Sequence, residues 1–289
     1  EGIFFQGSFD TPGSAQAVFI EGNLAFVADD AKDLQIIDIS NPTNPTLRGK
    51  VENTPGRAKD ISVAGNYAYI ADDTGGLTVV DISNPASPTV TTSVNTGGKA
   101  NGVAVAGNFV YVSDDTSGLV IFDITNPASP TQKGRIATTN AAPTDVAVAG
   151  NFAYVTEGSG MNTASGRRNM TIFDISDPNS PIPVQTLGTN GNARGVTVVN
   201  NYAYVANGTS GLTVIDISNP NAPQRLGSFN TPGNARGLSV AGNFAYVADE
   251  AGGLQIINIS DPTAPTVEYS FDTPGSAFGV SVVDNLVYV

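Results

Sequence analysis

The chain has 289 residues, with 13 Lys and Arg, 26 Asp and Glu, and neither His nor Cys, which gives a formal net charge of −13. Without imidazole or thiol groups it can form neither a His-dependent serine triad nor a Cys nucleophile, nor a zinc or copper site of the usual kind. Because the net charge repels phosphates and anionic lipids, and no run approaches 18 apolar residues, we expect no nucleic acid partner and no direct membrane insertion.

Two short motifs recur along the whole chain. A Gly-Asn-aromatic-Ala-Tyr-Val motif and its variants occur seven times, with the Asn at Asn23, Asn66, Asn108, Asn151, Asn201, Asn243 and Asn285. Asp-Ile-Ser-Asn-Pro and its variants recur at spacings of 43, 42, 51, 42 and 42 residues and start at Asp38, Asp81, Asp123, Asp174, Asp216 and Asn258. Both series locate one insertion, between Val155 and Met170. Such fixed-period repetition predicts a repeat architecture.

One copy of the repeat shows four predicted strands in chain order. Residues 103–106 and 109–113 are predicted to form a hairpin around a two-residue Gly-Asn turn. Residues 119–124 are almost continuously apolar, which is typical of a strand buried on both faces. After a loop with two prolines, residues 132–138 form a more polar strand that suits a sheet edge. Four antiparallel strands repeated about every 42 residues predict the blade of a β-propeller.

Seven hairpin copies predict an all-β fold, a seven-bladed β-propeller that forms a single domain over residues 1–289. Residues 3–9 are predicted as a fourth strand that precedes the first blade, and residues 279–289 supply strands one and two of the last copy. The seventh blade is therefore expected to be incomplete at its third strand. We expect the natural protein to continue past Val289 with an acidic turn and a Leu-x-Ile-Ile-Asp strand, so that this chain is a segment of a longer protein.

The third strand carries the most specific motif. Its sequence is Leu-Thr-Val-Val-Asp at residues 77–81, Leu-Val-Ile-Phe-Asp at residues 119–123 and Leu-Thr-Val-Ile-Asp at residues 212–216. This motif resembles the LVIVD repeat of bacterial and archaeal cell-surface proteins, and the resemblance covers essentially the whole chain. It implies a surface-exposed propeller and brings no catalytic residues. Because Asn258 replaces the last motif residue in one copy, we expect the motif Asp to form a turn rather than to react.

Charged residues concentrate on one predicted face. In an up-and-down blade, the loop between strands two and three shares a face with the segment before strand one. The loops between strands two and three are acidic and contain Asp29, Asp30, Asp33, Asp72, Asp73, Asp114, Asp115, Glu157, Asp249 and Glu250. The segments before strand one contain the bases Arg57, Lys59, Lys99, Arg194 and Arg236. We therefore predict a basic ring around a central channel, surrounded by an acidic ring.

This charged face has three open interpretations. Neighbouring loops can form surface ion pairs of little energetic weight. The bases Arg57, Lys59, Lys99, Arg194 and Arg236 can instead hold an anionic small ligand at the channel mouth. Carboxylates can also bind Ca²⁺ as hard oxygen ligands, and the candidates are Asp29, Asp30, Asp72, Asp73, Asp114, Asp115, Asp249 and Glu250.

The insertion at residues 156–169 lengthens one loop on the same face and contains Arg167 and Arg168. Loops tolerate variation and often carry function, so both arginines are candidate contacts for a specific ligand. A tolerated insertion without a function is the alternative.

The leading functional hypothesis is an extracellular or cell-surface, non-enzymatic β-propeller that acts as a protein interaction, adhesion or structural assembly module. Its expected partners are other surface or matrix proteins, a second copy of the chain, or a β-strand donated at blade seven. One alternative is a Ca²⁺-dependent adhesin. Another is a hydrolase or lyase with paired carboxylates on the loop face, which two close carboxylates in the channel would favour.

Overall fold

The computed structural model describes residues 3–31, 33–138, 141–158 and 169–289. Within these residues the chain forms 26 β-strands, arranged as six four-stranded antiparallel sheets and one two-stranded hairpin. Each four-stranded sheet is one blade, in which the strands lie side by side in chain order. No helix in the described part of the chain is long and apolar enough to cross a membrane.

The first three blades use the first twelve strands. Blade 1 contains β1 (Ala15–Glu21), β2 (Leu24–Asp29), β3 (Asp33–Asp38) and β4 (Thr46–Val51). Blade 2 contains β5 (Asp60–Ala64), β6 (Tyr67–Ala71), β7 (Leu77–Asp81) and β8 (Thr89–Val94). Blade 3 contains β9 (Ala100–Ala106), β10 (Phe109–Asp114), β11 (Gly118–Asp123) and β12 (Thr131–Ile136).

The next three blades and the hairpin use the remaining strands. Blade 4 contains β13 (Pro143–Ala149), β14 (Phe152–Glu157), β15 (Asn169–Asp174) and β16 (Ile182–Gly188). Blade 5 contains β17 (Gly195–Val199), β18 (Tyr202–Ala206), β19 (Leu212–Asp216) and β20 (Gln224–Phe229). Blade 6 contains β21 (Leu238–Ala241), β22 (Phe244–Ala248), β23 (Leu254–Asn258) and β24 (Thr266–Phe271). The hairpin contains β25 (Ser281–Val283) and β26 (Leu286–Tyr288).

The first strands form a closed inner ring. Each first strand contacts the first strand of the next blade, from β1 through β5, β9, β13, β17 and β21. The hairpin strand β25 contacts both β21 and β1 and so closes the ring. The four-stranded antiparallel blade and the up-and-down order predicted from the repeat are thereby confirmed.

The prediction of seven blades was wrong, because the structure has six complete blades and only a two-stranded hairpin at the seventh position. Residues 3–9, predicted as a fourth strand, lie in no strand. A β-strand is stabilised by hydrogen bonds to a neighbouring strand. Among the residues that the structure describes, none forms a third strand between β26 and residues 3–9, and these two segments do not pair directly with each other.

Residues 3–9 nevertheless follow the path of a fourth strand. In blade 1, Gly49 of β4 packs so closely on the proline loop of blade 2 that a Cβ there would collide with the carbonyl oxygen of Pro85. Glycines in β12 and β20 make the same approach to the next blade. Gly7 repeats it at blade 1, where a Cβ would lie 2.5 Å from the carbonyl oxygen of Pro42. The hairpin and residues 3–9 therefore flank an open position between blades 6 and 1.

The core lies between adjacent blades. The third strand is buried on both faces: Leu77 and Val79 pack against blade 3, whereas Val80 packs against blade 1. Tyr69 and Tyr111 on the second strands are at most 4% exposed and belong to the same kind of interblade cluster. This alternation explains why the predicted third strand is almost continuously apolar.

The last residue of the third-strand motif forms a turn. Asp81 Oδ1 accepts a hydrogen bond of 2.8 Å from the backbone N–H of Ser83. The hydroxyl and the N–H of Ser83 both hydrogen-bond the carboxylate and lower the pKa of Asp81. Asn258 accepts the same bond from Ser260 at 3.0 Å, so an amide oxygen serves as well. The motif residue is an acceptor in a local turn, as expected from the sequence.

A second polar side chain joins five of the blades to the segment that precedes them. We call the segment between the fourth strand of one blade and the first strand of the next the linker. Asp114 is fully buried and accepts hydrogen bonds from the Thr96 hydroxyl and the Gly98 N–H in the linker. It also accepts bonds from the N–H groups of Thr116 and Ser117 in its own loop. Equivalent side chains, which we call linker anchors, contact the linker in five blades: Asp29, Asp72, Asp114, Asn207 and Asp249.

We predict that Asp114→Asn lowers the free energy of unfolding by about 3 kcal/mol, because an amide nitrogen cannot accept a hydrogen bond from the buried donors around it. Urea denaturation measures the change. Glu268→Gln on β24 is the matched control, because it neutralises an exposed acid and should change stability by less than about 0.5 kcal/mol. Equal effects of the two substitutions would show that the anchor contributes nothing specific.

Candidate functional site

The first strands enclose a central channel of about 740 Å³. Its charged lining residues are Lys59, Asp60, Asp145, Arg194 and Arg236. Because side chains alternate along a strand, one position per blade faces the channel at a given depth. Asp60 and Asp145 occupy such a position in blades 2 and 4, and blades 3, 5 and 6 have glycine there.

Both channel carboxylates are held by backbone N–H groups. Asp60 Oδ1 accepts from the N–H of Ile61, and its Oδ2 accepts from the N–H of Val103 in blade 3, each at 2.8 Å. Asp145 accepts in the same way from the N–H of the following residue at 2.7 Å and from the N–H of Val196 in blade 5 at 2.8 Å. Each side chain thus connects its own blade to the next one.

Glycine makes room for this arrangement. A Cβ on Gly102, the blade 3 residue between the two acids, would lie only 2.7 Å from Asp145 Oδ1. Because Asp60 bonds to the N–H of the adjacent Val103, the two carboxyl groups meet around the same short stretch of β9. A channel lined in this way brings two acids from different blades close together.

The proximity of the acids changes how they titrate. Burial raises the pKa of Asp60 to about 6, although the two N–H bonds act in the opposite direction. Burial, followed by the negative charge of Asp60, raises the pKa of Asp145 well above its usual value. The two acids therefore titrate as a pair, which retains a proton at a pH where an ordinary Asp is ionised.

The predicted basic ring forms ion pairs with the acidic ring. Lys59 Nζ lies 2.7 Å from Asp30, and the guanidinium of Arg57 lies 3.7 Å from the same carboxylate. Lys99 Nζ lies 3.9 Å from Asp73. These pairs are partly exposed, so each contributes up to about 1 kcal/mol.

The arginines of blades 5 and 6 differ from these bases. Arg236 pairs with Glu250, and its Cζ lies 4.9 Å from the centre of the Phe278 ring. Arg194 Nε is buried without a hydrogen-bond partner among the described residues. Burial and then the charge of Arg236 lower the pKa of Arg194. Arg194 is the base best placed to meet an anionic ligand, and the predicted anion site stays a prediction.

The acidic loops divide into two kinds of side chain. The first acid of a loop is buried, most often as a linker anchor, whereas the second lies at the surface near the bases. The Ca²⁺ site stays a prediction, and no three acids in the described residues lie close enough together to hold a metal. Arg167 and Arg168 lie outside the described residues.

The acids in the channel were missed by the sequence analysis, which considered the loops alone. The available signal was positional: Asp60 and Asp145 stand six residues before the hairpin Asn, where blades 3, 5 and 6 have glycine. A charged residue inside a first strand, at a position where blades 3, 5 and 6 have glycine, indicates a side chain that points into the channel.

The blades, the closed inner ring and the channel define a β-propeller built from four-stranded repeats. The chain belongs to the LVIVD repeat family, whose sequence model matches residues 12–53, 55–96, 97–138, 142–189, 190–231 and 232–273. No curated protein matches the sequence.

Solved structures show the same fold at low sequence identity. A candidate 6-phosphogluconolactonase from Bacteroides fragilis is 14% identical, with a TM-score of 0.77 over 93% of this chain and 87% of that one. The WD40 propeller domain of Doa1 is 9% identical, with a TM-score of 0.74 over 96% and 89%. BamB from Moraxella catarrhalis is 14% identical, with a TM-score of 0.61 over 97% and 81%. At such identities the likeness is one of fold alone.

We predict that the melting temperature falls by roughly 3 to 6 °C as the pH rises from 4.5 to 7.5. The pKa of Asp60 is raised to about 6 in the folded state, against about 3.9 in an unfolded chain. Its contribution is therefore fully present below the unfolded pKa and is lost as the pH rises through the folded value.

Asp60→Asn should reduce the dependence of the melting temperature on pH. The amide also lowers stability at every pH, because it disturbs the N–H bonds. Calorimetry of both proteins across the pH series measures the difference in slope. Glu268→Gln, at an exposed position, should leave the slope unchanged. An equally steep slope in the Asp60→Asn protein would exclude the channel pair as the cause.

Proposed function

We propose that this chain is a non-enzymatic, extracellular or cell-surface β-propeller that acts as a protein interaction or assembly module. The observation that carries the proposal is the pair of exposed aromatic side chains Phe4 and Phe5, which line a cleft between blades 6 and 1. Solvent-exposed apolar surface of this kind marks interaction sites in soluble proteins.

The cleft has a volume of about 960 Å³ and two apolar walls. The wall on blade 1 includes Val27 and Ile37, and the wall on blade 6 includes Leu254 and Ile256; all four side chains are at most 6% exposed. Phe4 and Phe5 line the same cleft and are 75% and 59% exposed. Burying one such aromatic side chain against a partner is worth about 2 to 3 kcal/mol.

Other exposed apolar side chains are scattered on the outer strands of different blades. Leu47, Val90 and Ile182 lie on β4, β8 and β16. Isolated apolar residues are normal on a protein surface and require no partner. The cleft differs because several apolar side chains from both ends of the chain meet there.

Two further observations support a location at the cell surface. The LVIVD motif resembles repeats of cell-surface proteins, and the chain relies on Asn, Ser, Thr and Gly rather than on charge for its polar surface, with 13% charged residues. A disc-shaped fold with two loop faces also suits association with other surface or matrix proteins. Adhesion through bound Ca²⁺ would use the same fold with the acidic loops as ligands.

We predict that a photoreactive benzoylphenylalanine in place of Phe4 forms a covalent adduct with a partner protein in intact cells that express the chain. The same residue in place of Val90 is the matched control, because Val90 is an exposed apolar side chain on an outer strand. Adducts are detected by gel mobility and identified by mass spectrometry, after protease treatment of intact cells establishes surface exposure. Equal or absent adducts at the two positions would count against the proposal.

The channel acids support a second candidate, a hydrolase that uses paired carboxylates. Such chemistry needs one protonated and one ionised carboxyl group at the same pH. Burial raises the pKa of both Asp60 and Asp145, and the charge of Asp60 further raises that of Asp145, which favours a single proton on the pair. Their backbone hydrogen bonds favour the simpler role of connecting neighbouring blades.

A panel of nitrophenyl glycosides tests this second candidate. If the channel acids are catalytic, Asp60→Asn and Asp145→Asn each reduce turnover by about 100-fold or more. Asp115→Asn, on the loop face outside the channel, should not. Absence of turnover by the unaltered protein, or turnover that survives both substitutions, would contradict glycosidase chemistry in the channel.

A further inference from the structure

We infer that the mouth of the central channel binds a small organic monocarboxylate, held by the guanidinium of Arg194 beside that of Arg236. The inference narrows the five candidate bases to one pair, and it does not depend on the proposed interaction function. Three observations carry it: the shared position of the two arginines, the glycines that stand near Arg194 where other bases have an acid, and the local charge.

The two arginines occupy the same repeat position in neighbouring blades. Each stands seven residues before a hairpin Asn, Arg194 before Asn201 and Arg236 before Asn243. Their backbone N–H groups each donate at 2.8 Å to the last residue of the second strand, which fixes them at the start of their blades. Both side chains line the channel, and the ring of Phe278 orients the guanidinium of Arg236 from 4.9 Å. The channel mouth therefore presents two positioned guanidinium groups.

The other bases at this repeat position are paired with an acid. Lys59 pairs with Asp30, which lies in the loop between strands two and three of the preceding blade. Arg236 pairs with Glu250, which lies in the corresponding loop of its own blade. Both acids stand seven residues after a hairpin Asn. A base at the channel mouth can therefore be neutralised from either of two loops.

At Arg194 both of these loop positions are glycine. They are Gly158 in blade 4 and Gly208 in blade 5. The chain also contains no acid between Gly158 and Asp174, although the insertion between them adds two arginines. The Nε of Arg194 is buried without a hydrogen-bond partner among the described residues. A carboxylate that binds side-on accepts from this Nε–H and from the neighbouring Nη–H, which is the planar bidentate geometry that arginine favours.

The local charge selects a single negative charge on the ligand. Glu250 balances one of the two guanidinium groups, so that the arginine pair retains one positive charge. Burial, followed by the charge of Arg236, lowers the pKa of Arg194, and a bound anion offsets this repulsion. The negative charge that Asp60 and Asp145 share in the same channel opposes a dianion such as phosphate. A channel of about 740 Å³ has the size of a small-molecule site, so the ligand is a small monocarboxylate.

The test titrates the whole chain with propionate at pH 7.5 and follows the arginine Nε–H signals by NMR. We expect a dissociation constant below about 5 mM and the largest change in chemical shift at Arg194. Propionamide has almost the same shape without the charge and should not bind. Inorganic phosphate should bind more weakly than propionate, because it is mostly doubly charged at this pH.

Substitutions at Gly208 test the argument from the unpaired charge. Gly208→Glu supplies the acid that Glu250 provides in blade 6, and the backbone tolerates it, since Glu250 has a φ of 47° where Gly208 has 60°. The new carboxylate should pair with Arg194 and weaken propionate binding by at least about 10-fold. Gly208→Gln is the matched control, because it has the same size without the charge, and it should change the affinity by less than about 3-fold.

Substitutions of arginine test the guanidinium itself. Arg194→Lys keeps the positive charge but loses the planar fork, so propionate should bind about 10-fold more weakly. Arg225→Lys, at an exposed position of β20, is the control and should leave the affinity unchanged. Melting curves establish that each variant is folded. If Gly208→Glu does not fold, the comparison of Arg194→Lys with Arg225→Lys decides alone.

Four results would overturn the inference. Propionate binds no better than propionamide, phosphate binds more tightly than propionate, the signals of Arg194 and Arg225 shift equally, or the folded Gly208→Glu and Arg194→Lys proteins bind propionate as well as the unaltered chain. None of these results bears on the adduct at position 4 in cells. The monocarboxylate site and the interaction function can therefore fail separately.

Discussion

In five blades, hydrogen bonds between the linker and a buried polar anchor are the constraint on which the propeller depends. A linker crosses from the outer strand of one blade to the inner strand of the next, and its N–H groups need acceptors that no sheet provides. In blade 3 the carboxylate of Asp114 meets this need for Thr96 and Gly98. The same side chain also closes its own loop through the N–H of Ser117. One residue thus fixes the distance between blades and the shape of the loop face.

This constraint also determines how the acidic loops divide their charge. Burial raises the pKa of Asp72 more than the hydrogen bonds from Thr54, Thr78 and Gly56 lower it, so the anchor is held at an energetic cost. The following residue, Asp73, turns outward to Lys99. The backbone turns at Asp73, whose φ is 45°, so the two neighbouring acids take different roles. The acids of these loops therefore fall into two groups, buried anchors and members of surface ion pairs.

The repeat made most of the fold predictable, because period and alternation act within a few residues of sequence. The strands, the buried third strand and the turn-forming role of Asp81 follow from that local pattern. The different roles of Asp29 and Asp30 do not follow from that pattern. Both are acids in one loop, and what distinguishes them is the hydrogen bond that Asp29 accepts from the Gly13 N–H in the linker. The repeat position of Asp60 and Asp145 places both acids in the channel, but their proximity depends on how blades 2, 3 and 4 pack together, across 85 residues of sequence. The blade count of seven was wrong because it counted the last hairpin and residues 3–9 as one incomplete blade, whereas residues 3–9 lie in no strand.

Ring closure does not need that third strand. The hairpin strand β25 already contacts the inner strands on both sides, so the circle of first strands is complete. Contacts between the inner strands close the ring, whereas the cleft lies beside the middle strands, between Val27 of β2 and Leu254 of β23. Residues 3–9 lie against blade 1 without forming a ladder, and the backbone of Gly7 approaches the carbonyl oxygen of Pro42 too closely to admit a Cβ. Closure of the inner ring is therefore independent of a complete outer sheet, since the ring closes through β25, which belongs to a two-stranded hairpin.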